Sequence, residues 1–421
     1  MIGKEDGPRD LSRLVVPLRG SLEATGDLFE PYRLVDGDGA VVVPAAAYFR
    51  ELSARGRPAA TQRSYGMDLL RWFRFGWAIG CAWAQATRVE ARDFCSWIQF
   101  TTKPVRPHWR YPEGGAPGTA TARAAAGTPN AVTGKPSAGR GYATATVVHC
   151  ESVLRGFYDF HLEAGSGPIV NPFPLVRGRG GRANAHHNPM ERFAGERTGR
   201  YRPGAPRRIP RHIPDDRFDE LFAELGSNRD RALVAFWVST GARASELLGA
   251  AAADADPGQQ LITVIRKGTR LLQQLPASPD AFVWLRLYQA QIGGLVAAGR
   301  DQPLWWTLRR PLRPLSYDAA RLMFTRASAA LGANWSLHDL RHSAAYRMAR
   351  DPGMPLTDVQ WVLGHAHLST TQQYLTPLTG DVIASVLAFH DRQRKPGPGT
   401  GPLAAGYRAE SLKNLFGGDA P

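Results

Sequence analysis

Apolar residues in this chain recur at helical spacing almost everywhere, and that periodicity limits the folds open to it. Tyr65, Leu69, Trp72, Phe73 and Trp77 form one stripe, and a second runs from about Thr144 to Glu163 through Val147, Leu154, Phe157 and Tyr158. From Pro214 the pattern sharpens: Phe218, Leu221, Phe222 and Leu225 stand at i, i+3, i+4 and i+7. Leu233, Phe236, Trp237 and Thr240 follow, ending at Gly241. Residues 260–266 and 271–276 break the rule, reading as two short strands joined by Lys267-Gly268-Thr269-Arg270. The remainder to about His390 reads as helix. The expected class is therefore mainly α with a small antiparallel sheet (α+β).

Composition shifts divide the chain. Residues 1–43 show little periodicity beyond Val41–Val43, and a helical domain is expected over 44–176, closed by Asn171-Pro172 and Pro174. Within it, 102–141 is rich in Gly, Ala, Pro and Thr and reads as a long flexible loop. The stretch 177–212 carries ten arginines against Glu191 and Glu196, among many glycines and prolines. It is either a solvated spacer or a strap that tracks a polyanion. A second domain is expected over 213–392 and a tail over 393–421, with a Pro/Gly run at 395–404 before Tyr407, Leu412, Leu415 and Phe416.

Charge narrows the partners. In 421 residues, 52 Lys+Arg against 37 Asp+Glu leave a formal charge of +15, which favours a polyanion such as nucleic acid. Cys81, Cys95 and Cys150 lie far apart and read as reduced core residues of a cytosolic protein. No apolar run is long enough for a membrane span, and the N-terminus lacks the apolar core of a signal peptide. A cytoplasmic location is expected.

Three segments carry chemistry. In Thr240-Gly241-Ala242-Arg243-Ala244-Ser245-Glu246-Leu247-Leu248, a glycine breaks a helix and Glu246 sits one turn after Arg243. In His338-Asp339-Leu340-Arg341-His342, His338 and Arg341 share a face at a helix start, where backbone N–H groups welcome anions. In the third, Leu363-Gly364-His365 precedes Tyr374 by nine residues. There Thr357/Gln360 and Ser369/Gln372 read as capping boxes, Gly364 as a left-handed stop and Pro377 as a helix end, so that Tyr374 lies on a short helix beside His365.

Taken in this order, the segments resemble the tyrosine recombinase (lambda-type integrase) family, including its Xer-type members. The match is close over about 213–392: Gly-Ala-Arg-x-x-Glu-Leu, Lys-Gly in a strand turn, His-x-Leu-Arg-His, Leu-Gly-His, then Tyr. A looser likeness covers 44–176, the position of a helical core-binding domain; the long 102–141 segment departs from compact versions of that domain. The resemblance implies a DNA recombinase whose nucleophile, Tyr374, forms a 3′-phosphotyrosyl intermediate and frees a 5′-hydroxyl. It implies that Lys267 protonates that leaving oxygen, that His338 hydrogen-bonds the phosphate or takes the tyrosyl proton, and that His365 donates to a non-bridging oxygen. The expected catalytic set is Arg243, Lys267, His338, Arg341, His365 and Tyr374, with Glu246 bracing the arginines.

Physical reasons for such a set stand independently. Attack on a phosphodiester passes through a pentacoordinate state with added negative charge. Two guanidinium forks, Arg243 and Arg341, can hold its non-bridging oxygens without losing their own charge. A phenol of reference pKa ~10 is a poor nucleophile until cations stabilise its ionised form. An aryl phosphate conserves the bond energy, so rejoining needs no ATP. No cofactor or metal is expected, because cationic side chains occupy the places of metal ions. His186-His187 and His365-x-His367 lack further ligands at set spacing for zinc. The expected partners are double-stranded recombination sites, further copies forming a tetramer on two duplexes, and a directionality or accessory factor. In family members a helix after the nucleophile docks into a neighbouring subunit, and Val382, Ile383, Val386, Leu387 and Phe389 mark that helix here, against the alternative of packing on its own domain. A catalytically silent DNA-binding protein of this fold and a type IB topoisomerase remain alternatives. The short 1–43 segment leaves little room for a separate arm-site domain and favours a mobile-element recombinase with simple core sites.

Overall fold

A computed structural model describes residues 9–104, 128–136, 139–176, 199–204, 211–375 and 379–394. They fall into two compact units, one of residues 1–129 and 135–207, the other of 130–134 and 208–421. Most of the arginine-rich stretch, most of the 102–141 segment, His186-His187, Pro377 and the tail beyond 394 lie outside the described residues.

The first unit has four helices, α1 (Val43–Ala54), α2 (Ala59–Ala78), α3 (Arg88–Phe100) and α4 (Thr144–Glu163), among its described residues. Their apolar stripes meet in an aromatic core containing Phe49, Phe75, Phe94, Phe157 and Phe173, all essentially inaccessible. Two of its aromatic polar groups are satisfied within it: Trp72 donates Nε1–H to the Tyr158 hydroxyl (2.9 Å), which donates to the Trp83 carbonyl (3.0 Å). Thr87 and Glu90 close a capping box at the start of α3. Cys95 and Cys150 are buried free thiols, and burial pushes the Cys95 thiol up to about 12.

Residues 1–43 hold more structure than their pattern suggests. β1 (Ser21–Ala24) and β2 (Tyr32–Val35) pair antiparallel, Ser21 opposite Val35 and Ala24 opposite Tyr32. Four-residue strands give no readable alternation; what fixes them is tertiary contact. Leu34 is wholly buried, and Gly66 on α2 leaves room for Leu22, whose methyl would lie 2.6 Å from a Cβ there. The base of the long insertion is closed by pairing of Thr102 with Gly141. In the short described piece of the arginine-rich stretch, Arg202 lies 3.7 Å from the buried Glu151, so this arginine has a partner inside the protein.

The second unit comprises α5 (Asp215–Ala223), α6 (Asn228–Thr240), α7 (Ala244–Leu248), α8 (Pro279–Ile292), α9 (Tyr317–Ala330), α10 (Leu337–Arg350), α11 (Leu356–Leu363), α12 (Leu368–Gln372) and α13 (Thr379–Arg394). Its sheet has the order β3 (Ala255–Asp256), β4 (Leu261–Ile265), β5 (Leu272–Pro276), all antiparallel, with Leu261 opposite Pro276 and Ile265 opposite Leu272. Ile262 and Val264 alternate inward from β4, onto a core built on Phe236, Trp237, Trp305 and Tyr288. One expectation fails here. The chain between α8 and α9 is irregular instead of helical, as Pro303, Pro311 and Pro314 each remove a backbone donor. Residues 130–134, numbered inside the insertion, belong to this unit, where Asn130 donates Nδ2–H to the Gly332 carbonyl (2.8 Å).

Candidate active site

Two of the three segments of interest sit where a helix stops. α6 ends at Gly241 in the left-handed region (φ 61°), and α11 ends likewise at Gly364 (φ 62°). A side chain at Gly241 would come within 2.8 Å of Leu363. These stops turn the chain sharply and release carbonyls at one place. Arg341, from the first turns of α10, donates Nη1–H to the Gly241 carbonyl and Nη2–H to the Leu363 carbonyl, both at 2.6 Å. Ser336 and Asp339 form the capping box that starts α10.

Arg341 is only 4% exposed, and no carboxylate lies within ion-pair distance of it among the described residues. Burial and the neighbouring Arg243 push its pKa down to about 10. A guanidinium held by carbonyls and short of counter-charge is strained electrostatically until an anion arrives.

Glu246 supplies the balance on the other side. It is 3% exposed and accepts from Arg243 Nη1 (2.9 Å), Arg243 N (3.0 Å), Arg266 Nη1 (3.0 Å) and Lys267 N (2.9 Å). Burial alone would raise its carboxyl; these bonds outweigh it and hold the carboxyl below the usual range. Arg266 is 5% exposed, and it also donates Nε–H to Gln273 (2.6 Å) and Nη2–H to the Val362 carbonyl. It thus ties the β4–β5 hairpin to the end of α11. Lys267 itself is exposed on the hairpin turn.

His365 follows Gly364 and bonds through both nitrogens. Nε2 is 3.1 Å from Arg341 Nη2 and Nδ1 is 2.9 Å from Thr371 Oγ1. Since Arg341 can only donate, Nε2 accepts and the proton sits on Nδ1. Burial, then Arg341 and Arg243, lower the His365 pKa to about 4, so the ring is neutral. Tyr374 is 4% exposed on a 3₁₀ turn, Gln373–Leu375, its ring parallel to that of His365 with centroids 6.3 Å apart. Burial raises the Tyr374 pKa and Arg341 opposes the rise.

The structure therefore gathers five of the six residues read from the sequence by direct contact or a shared recess. Arg243, Lys267 and His365 line one cavity of about 990 Å³, and Arg341 and Tyr374 adjoin His365. The sixth, His338, stands one turn before His342 on α10, with ring centroids 4.3 Å apart. The tyrosyl hydroxyl meets His342 Nδ1 at 2.9 Å and not His338. Two local readings are corrected. Thr357 and Ser369 are not caps: α11 begins after Pro355 and α12 after His367, neither with a side-chain cap. Proline at the entry pre-sets the backbone of α11 without a capping hydroxyl. Arg266 and His342 were missed because each is the immediate neighbour of a motif residue and reads as ordinary surface charge. No group of three or more His, Cys, Asp or Glu that could hold a metal occurs among the described residues.

Comparison with known proteins points the same way. A family model described as the phage integrase family matches residues 213–379. The chain is 30% identical over 218 residues to the tyrosine recombinase XerC of Serratia marcescens, covering 50% of this chain and 67% of that protein. It is 32% identical over 212 residues to XerC of Pseudomonas aeruginosa strain PAO1, covering 47% and 66%. To XerC of Syntrophus aciditrophicus it is 31% identical over 219 residues, covering 49% and 65%. The match thus spans about two thirds of the length of these relatives. Among solved structures, the Tn1549 transposon integrase in complex with transposon right end DNA superposes with a TM-score of 0.52 at 14% identity, covering 83% of this chain and 98% of that one. The XerH site-specific recombinase bound to palindromic difH substrate gives 0.51 at 15% identity, covering 82% and 85%. At such identities the likeness is one of fold.

Proposed function

Because this chain belongs to the tyrosine recombinase family, we propose that it is a site-specific DNA recombinase that cuts and rejoins strands through a 3′-phosphotyrosyl bond at Tyr374. The observation that carries the reading is Arg341: a buried cation with no carboxylate within ion-pair distance among the described residues, near a buried tyrosine and bonded to His365, which shares a cavity with Arg243 and Lys267. A phosphodiester is the anion whose two non-bridging oxygens suit two guanidinium forks.

In the proposed reaction Arg243 and Arg341 hold the phosphate and stabilise the charge that builds on it. A bound phosphate offsets the Arg341 and Arg243 charge that adds to burial in keeping His365 neutral, and so favours protonation at Nε2 and donation to a non-bridging oxygen. Lys267, exposed on its hairpin turn, protonates the leaving 5′-oxygen. Glu246 holds Arg243 and the Lys267 backbone in place. We further propose that the first unit grips DNA as a core-binding domain, that the 177–212 stretch tracks the backbone, and that four copies assemble on two duplexes. The exposed Ile383, Val386, Leu387 and Phe389 on α13 offer the surface for that assembly. The chemistry itself calls for no cofactor. The process served is proposed to be integration, excision or transposition of a mobile element in the cytoplasm, with a directionality factor as partner.

The test is strand exchange. A plasmid carrying two copies of the site that this protein selects from a random-sequence pool should yield recombinant circles. Supercoil relaxation with no exchange between sites would make it a topoisomerase instead, and site binding with neither outcome an accessory DNA-binding protein.

A further inference from the structure

Tyr374 must lose its phenolic proton as it attacks, and burial makes that loss harder than in water. The proton therefore needs an acceptor within hydrogen-bond reach. Three histidines lie close by, and their geometry separates them. His365 faces the tyrosine ring to ring, and both of its nitrogens are engaged, by Arg341 and Thr371. His338 meets the edge of the His342 ring. His342, at the second turn of α10, places Nδ1 2.9 Å from the Tyr374 hydroxyl oxygen. With the phenolic hydroxyl as the donor, neutral His342 carries its proton on Nε2 and accepts at Nδ1.

Resting on the recombinase reading, we infer that His342 is a catalytic residue: its Nδ1 takes the Tyr374 proton during cleavage and returns it during rejoining. In cleavage the Oη–H bond breaks, Oη bonds to phosphorus, and the bond from phosphorus to the 5′-oxygen breaks. The phenolic proton goes to His342 Nδ1 and forms an imidazolium. The leaving 5′-oxygen receives its proton from Lys267. Rejoining runs the same transfers backwards, with the phenolate recovering its proton from His342. The titratable groups around His342 are His338 and Arg341 on its own helix, Tyr374 on the 3₁₀ turn and His365 on the α11–α12 connection. The incoming phosphate brings negative charge beside them, which suits the imidazolium that forms.

The test is single-turnover formation of the covalent adduct by the full chain, on a nicked duplex carrying the selected site, from pH 5 to 9. Wild type should speed up through the histidine range, about 6–7, and then level off. His342→Asn keeps a polar partner near the Nδ1 position but cannot take the proton. It should be slower by roughly 10²–10⁴-fold and should rise steadily to pH 9 with no histidine inflection. His342→Gly supplies an independent readout: adduct formation should be rescued in proportion to added neutral imidazole. DNA binding and melting temperature verify that both variants are folded. Asn at wild-type rate overturns the inference. A slowed Asn variant that keeps the inflection, or a glycine variant deaf to imidazole, also overturns it and leaves His342 a positioning residue. No adduct from wild type at any pH would instead remove the recombinase reading on which the inference rests.

Discussion

Glu246→Ala is the substitution whose consequence the structure quantifies best. Glu246 and Arg266 are 3% and 5% exposed and form a 3.0 Å ion pair, so removing the carboxylate leaves a buried guanidinium with hydrogen bonds to Gln273 and Val362 but no carboxylate within ion-pair distance among the described residues. Loss of one partner from such a pair costs about 3–5 kcal/mol. For a unit of this size each kcal/mol lowers the melting temperature by roughly 2–4 °C, which predicts a fall of about 6–20 °C. Arg266→Met alone should also destabilise, since Glu246 would keep only Arg243 as its charged partner. Joined to Glu246→Ala it should cost clearly less than the two single effects added, because the double variant holds neither buried charge. Thermal melting of the four proteins, with hydrogen exchange at α7 and β4 amides to localise the loss, completes the cycle. Glu246→Ala within about 1 kcal/mol of wild type, or strict additivity, would refute the argument that this carboxylate organises the site.

Three further outcomes are expected. His365 has a folded pKa of about 4 against an ordinary 6.5, so between those values the unfolded chain binds more protons. Its contribution to stability is complete above about 6.5 and is lost as pH falls towards 4; wild type should therefore lose more melting temperature from pH 7 to 5 than His365→Gln, and equal losses would contradict the shift. Neutralising Arg177, Arg179, Arg182 and Arg192 should flatten the plot of log K against log salt by up to about 3–4 units, whereas an unchanged slope would make the stretch a spacer. Truncation after Gly380 should abolish cooperative filling of a full site and leave half-site binding and the melting temperature unchanged. Cooperativity that survives, with a lowered melting temperature, would mean that α13 packs on its own domain.

Much of the site was legible in the sequence, because the residues that carry it lie in short segments whose spacing follows helix geometry. The sharp stops at Gly241 and Gly364 were readable for the same reason: a glycine at the end of a periodic run suits the left-handed conformation both adopt. The hairpin around Lys267 was legible from two apolar runs flanking a Lys-Gly turn. What escaped depends on tertiary contact. The β1–β2 hairpin is too short to show alternation and is set by Leu34 and Leu22 packing inward. Thr357 and Ser369 satisfied the capping pattern, yet the helices begin one residue or more earlier. Arg266 and His342 each flank a motif residue, and only the fold reveals that one braces Glu246 and the other meets Tyr374.

The central claim is that Tyr374 becomes covalently joined to DNA. On a nicked duplex carrying the selected site, the released end diffuses away and cleaved complexes accumulate. Wild type should yield an adduct whose proteolysis leaves a Tyr374 peptide on a 3′-phosphate, with divalent ions chelated. Tyr374→Phe should bind the same duplex and yield none. An adduct at wild-type level in Tyr374→Phe, or linkage through another residue, would contradict the account.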